Sequence, residues 1–151
     1  MDFRVDQSRG LHFIYALPFS EHHLLVESTM ISRSVQPESW YTDAIDAWLD
    51  DRGICMAEQL ALEVGCIPMD NVYPQDPRHA AIGAAGGALR RSSGYAFSYI
   101  QQQTRQLAER IASGHYQVPQ PISQQLLYMD GIFNRVLIEY PELGVSLFMD
   151  M

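Results

Sequence analysis

The chain has 151 residues, 47% of them hydrophobic and 19% charged, an ordinary globular composition that argues against disorder and allows one domain with a real core. Its net charge is −8 and all ten basic residues are arginines, so it lacks the dense basic stripe that nucleic acid binding requires. Two cysteines, Cys55 and Cys66, are too few for a disulfide framework and lack the partners of a zinc site, so they read as reduced core thiols.

Gly10–Phe19 alternates Phe13, Tyr15 and Leu17 against Ile14 and Ala16, which predicts a strand. Pro18, Ser20 and Glu21 supply turn chemistry before a second β-rich run, His22–Ile31, so the two runs predict an antiparallel hairpin with His22-His23 at its turn. Pro37-Glu38-Ser39-Trp40 opens a helix with Trp40, Ala44, Ala47 and Trp48 spaced by threes and fours, and Gly53 ends it. Ala57–Met69 is divided, its first half favouring helix and Val64–Pro68 an extended run into a turn. Met69–Arg78 reads as a polar connection, His79–Ile82 as a short strand, and a helix is expected from about Gly94 to Ser113. Two further helices, broken near Pro141, are expected from Pro121 to the end. These elements predict an α+β fold.

Ile82-Gly83-Ala84-Ala85-Gly86-Gly87 places glycines where the expected strand hands over to a helix, a turn that aims backbone N–H groups at an anion. Its spacing is not the G-x-G-x-x-G of a dinucleotide fingerprint, and glycines required for tight packing alone would explain it equally well. Arg90-Arg91, the one adjacent basic pair, suits a local contact to a phosphate or a carboxylate. Glu27 is a lone charge in the apolar run Leu24–Thr29, and an alternating strand would by itself point it to solvent.

The glycine run, followed by Ser92-Ser93-Gly94-Tyr95-Ala96-Phe97, resembles the flavin-contacting segment of lycopene cyclases. Gly83, Gly86, Gly87, Gly94 and Tyr95 match that segment, and Ser93 falls in its Ser/Thr pair. Arg90 stands where the family usually has Lys or His, and Arg91 where many members have Pro. Leu25-Val26-Glu27-Ser28-Thr29 resembles the segment bearing the family's essential carboxylate. Met1-Asp2-Phe3-Arg4-Val5, Gly10–Phe19 and Val64–Met69 also resemble family segments, in the family's order.

The resemblance implies membership of an FAD/NAD(P)-binding superfamily, with FAD held near Gly83, Gly86, Gly87, Arg90, Ser93, Gly94 and Tyr95 and reduced by NAD(P)H. It implies lycopene as substrate, β-type cyclisation without net redox change, and Glu27 as the catalytic acid. The family's first βαβ unit has no counterpart here, so the chain reads as an interior and C-terminal fragment, inactive alone, whose partner is the missing N-terminal flavin domain. Residues 1–75 are then part of the substrate domain, 76–118 the flavin-contacting segment and 119–151 a helical tail. No metal is implied. With no leader motif at Met1 and no apolar run near the ~20 residues that span a bilayer, the expected compartment is the cytoplasm, with peripheral contact at the inner membrane. Two rivals share the residues: a flavin-dependent hydroxylase or prenyl reductase, for which Glu27 has no evident use, and an inactive interaction module.

Overall fold

The computed structural model describes residues 1–70 and 79–150. The alternating runs form an antiparallel hairpin of β1 (Leu11–Pro18) and β2 (Leu24–Ile31). Leu11 lies opposite Ile31, Tyr15 opposite Glu27 and Leu17 opposite Leu25, and such cross-strand partners share a face. The N–H groups of Phe19 and Ser20 both donate to the His23 carbonyl and close the turn.

Helix α1 (Glu38–Asp50) follows an extended Pro37, with Glu38 in its first turn where a carboxylate suits the helix dipole. It ends because Gly53 adopts φ 64° while the N–H of Ile54 returns to the Leu49 carbonyl, a left-handed stop that glycine takes without strain. A 3-10 turn (Gly83–Gly86), α2 (Phe97–Ala112), α3 (Gln124–Glu139), a second 3-10 turn (Pro141–Leu143) and α4 (Gly144–Met149) complete the described elements. A two-stranded antiparallel sheet with C-terminal helices is the α+β class read from the pattern. Among the described residues no helix is long and apolar enough to cross a membrane.

Three expectations are corrected. His79–Ile82 forms no strand: Ile82 is extended, at φ −124° and ψ 168°, but no described strand pairs with it, and an extended run becomes a strand only through a ladder. Helix α2 starts at Phe97 because Gly94, at φ 71°, belongs to a closed turn before it. Cys55 and Cys66 are exposed, since residues 54–69 take neither helix nor strand and pack their side chains poorly. The expected connection beyond Asp70 lies outside the described residues.

The chain divides into two compact units, Met1–Cys66 with Val136–Met151, and Ile67–Arg135. In the first, one sheet face sends Ile14 onto Trp48 and Leu49 of α1, with Val5, Ala16, Val26 and Ile45 around them. The opposite face carries Leu11 and Phe13 against α4. A methyl group added at Gly144 would fall 2.9 Å from Leu11 Cδ1, and the Phe148 ring lies 6.3 Å from Phe13. The second unit buries Ala88, Leu89 and Ile122, and at its centre Gln103 is fully enclosed.

Candidate functional site

Helix α4 reaches Leu11 and Phe13, while the half of that face nearer the turn is exposed, with Leu17 at 50% and Leu25 at 44%. Glu27 lies on this half, exposed, paired in register with Tyr15 and flanked along β2 by Leu25 and Thr29. The Thr29 hydroxyl donates to Glu27 Oε1 at 2.6 Å, which leaves the second carboxyl oxygen available. The Tyr15 phenol is held above its ordinary pKa by burial and by the Glu27 charge, and its ring meets Phe13 edge-on at 5.0 Å. The result is a single carboxyl on an apolar, aromatic strip.

The other face is braced by groups that spacing did not mark. His12 is fully buried, with Nδ1 3.1 Å from the Asp6 carbonyl, Nε2 2.9 Å from the Ser28 hydroxyl and the Trp40 ring at 4.5 Å. A carbonyl only accepts, so Nδ1 carries the proton and Nε2 accepts from Ser28. Asp2, in the Met-Asp-x-Arg-Val segment, accepts from Arg4, Arg52 and Trp48 Nε1, and Arg52 stacks on the Trp48 ring at 3.9 Å. The Arg4 hydrogen bond, working against burial, holds the Asp2 carboxyl well below the usual range. That segment fastens the chain start onto α1.

In the second unit, Gly83 and Gly87 adopt φ 68° and 80° at the two ends of the 3-10 turn. A methyl group at Gly86 would fall 2.4 Å from the Ala81 carbonyl oxygen, so only glycine fits there. Gln103 holds the turn from within: its Oε1 accepts from the Gly83 N–H at 2.7 Å and its Nε2 donates to the Pro119 carbonyl at 3.0 Å. The Gly83 N–H is thereby engaged inside the protein. Gly86 and Gly87 line a cavity of about 410 Å³, together with Arg91, Tyr116 and Gln120 among others. A Cβ at Gly87 would come 3.4 Å from Gln120 Oε1, so the glycine keeps that wall open.

Ser93, Gly94 and Tyr95 form a separate feature, a closed turn. The Arg90 N–H donates to the Tyr95 carbonyl at 2.9 Å, and the Gly94 N–H donates to the Arg90 carbonyl at 2.8 Å. The Ser93 hydroxyl accepts from the Tyr95 N–H at 3.3 Å. Arg90, expected at the flavin, places its fork on Asp130, with Nε 2.9 Å from Oδ2 and Nη2 2.6 Å from Oδ1. Asp130 is 1% exposed. Burial pulls its pKa upward, but hydrogen bonds from Arg90, Ser92 and the Arg91 N–H outweigh that and hold it below the ordinary value. Of the two targets considered for the arginine pair, a carboxylate is what Arg90 meets. Asp130 escaped the sequence reading, although it is the lone charge in the otherwise apolar run Leu126–Phe133.

The family model described as lycopene cyclase protein matches residues 1–138. Two chloroplastic neoxanthin synthases, from Solanum tuberosum and Solanum lycopersicum, are each 30% identical over 113 residues. That alignment covers 74% of this chain but 23% of each relative, so the chain spans about a quarter of their length. No solved structure matches.

Proposed function

This chain belongs to the lycopene cyclase family, and from that premise we propose that it is the part of a carotenoid-cyclising enzyme that presents the catalytic acid and closes one side of a flavin site. The family is one of carotenoid cyclase-type enzymes. The finer reading is that the whole protein forms β-type end rings on lycopene, by proton-initiated closure without net redox change. The observation that carries it is Glu27: one carboxyl, anchored by Thr29, on an apolar strip with an aromatic ring directly across.

Ring closure needs a proton delivered to a terminal double bond and a cation stabilised until a ring proton leaves. Glu27 supplies the carboxyl, and the exposed Leu17 and Leu25 beside it offer the polyene an apolar seat. Thr29 holds Oε1, so the free oxygen carries the transferable proton. Tyr15, opposite in register, supplies an aromatic ring whose π electrons attract positive charge. The cavity at Gly86 and Gly87 suits a flavin edge, since a side chain at Gly87 would intrude toward Gln120. FAD, if held there and reduced by NAD(P)H, would supply an electron-rich ring able to stabilise positive charge. A peripheral seat at the inner membrane, with the bulk of the protein in the cytoplasm, is the placement we propose for an apolar substrate of this kind. Its support is Phe19, an aromatic side chain 74% exposed at the hairpin turn.

The test is Glu27→Gln in the protein expressed from its complete gene, in a lycopene-accumulating host, with carotenoids and bound flavin both measured. The amide keeps the shape and the Thr29 contact but has no proton to give, so cyclised product is expected to fall at least ~10²-fold with flavin retained. Cyclised product at the unsubstituted level would sink the assignment.

A further inference from the structure

Arg91 is caught at both ends of its own peptide framework by one helix. Its N–H donates to Asp130 Oδ2 at 3.0 Å and its carbonyl accepts from Asn134 Nδ2 at 2.8 Å. Asp130 and Asn134 are four apart on α3, so they stand one turn apart on one face. Asp130 also takes the Arg90 fork, and Asn134 also donates to the Met69 carbonyl at 2.9 Å. Two residues before Met69, Ile67 lies 3.5 Å from where a Cβ at Gly94 would be. Arg91 lines the cavity with Gly86 and Gly87, whereas Arg90 places its fork on Asp130. Asn134 Oδ1 is buried without a hydrogen-bond partner. A buried acceptor left unpaired lowers stability, so this asparagine is better explained by where it holds the loop than by what it adds to the fold.

We propose that Asp130 and Asn134 are the positioning residues of the flavin loop, gripping Arg91 at its N–H and its carbonyl so that this residue and the glycine wall keep the cavity open for the cofactor. The inference rests on the flavin reading above and goes beyond it by assigning the loop's geometry to α3. Neither residue touches the reacting atoms; both act through Arg91.

The test uses the protein expressed from its complete gene and FAD as the probe. Asn134→Leu removes the carbonyl contact without changing charge, Asp130→Asn keeps an acceptor for the Arg91 N–H while losing the ion pair, and Asn134→Gln serves as the conservative variant. The dissociation constant for FAD and the residual fluorescence of bound flavin are measured on the folded fraction of each. Asn134→Leu is expected to weaken FAD at least ~10-fold and to leave bound flavin more fluorescent, with Asn134→Gln recovering part of the loss. The double variant Asp130→Asn with Asn134→Leu should lose less than the product of the two single effects, because both hold one residue. A purely structural role would lower the folded fraction and leave affinity and fluorescence unchanged, which would overturn the proposal. If the unsubstituted protein binds no FAD, the flavin reading falls and the positioning role with it; unsubstituted binding with unaltered variants overturns the positioning role alone.

Discussion

His12 shows how a residue without a motif can govern behaviour in solution. Burial depresses its pKa below the ordinary 6.5, so between the folded and unfolded values the unfolded chain binds the extra proton. Stability from the neutral ring is therefore complete above 6.5 and declines as pH falls below it, by up to ~1.4 kcal/mol per pH unit until the folded value is reached. In His12→Gln, whose amide reaches similar partners without titrating, the acid side of a plot of unfolding free energy against pH should be flatter. An unchanged slope would show that the loss comes from other groups. Asp130 titrates with the same sign at lower pH: its depressed pKa gives stability that is present above the ordinary carboxylate value of 3.8 and is lost as pH falls through the folded one. Neither role could be read from spacing, because both depend on partners brought from other elements.

Between Arg90 and Tyr95 the chain closes a hydrogen-bonded turn, and Gly94 is its pivot. At φ 71° a β-branched side chain is strained whatever room exists, and a Cβ would also meet Ile67. Gly94→Val is expected to cost about 1–3 kcal/mol by thermal or denaturant unfolding and to abolish flavin retention in the protein expressed from its complete gene. Normal flavin content would reduce the turn to a structural feature. Elements with local causes were legible in the sequence: the hairpin from alternation around Phe13 and Tyr15, α1 from Trp40 and Trp48 with a stop at Gly53, the break at Pro141. Those that depend on distant partners were not. His79–Ile82 has strand-like residues but no ladder, Cys55 and Cys66 look like core residues in a stretch that packs against little, and Arg90 could not reveal that Asp130, 40 positions on, takes its fork. That Glu27 would sit on the hairpin and Gly86 and Gly87 in a turn could be read from the sequence; the grip of α3 on Arg91 could not.

At the scale of the molecule, the chain covers 23% of the relatives it matches and contains no G-x-G-x-x-G unit. We expect the purified 151-residue chain, given lycopene, FAD and NAD(P)H, to form no cyclised product, and ring-bearing carotenoid in that assay would refute the fragment reading. Among the described residues the sheet has two strands, β1 and β2, so the far side of β2 presents N–H and C=O groups with no described strand beside it. An open strand edge next to exposed leucines is a template on which a second copy can add its own strand. A lysine placed on that edge is therefore expected to lower self-association of the purified chain, read as reduced light scattering at high concentration.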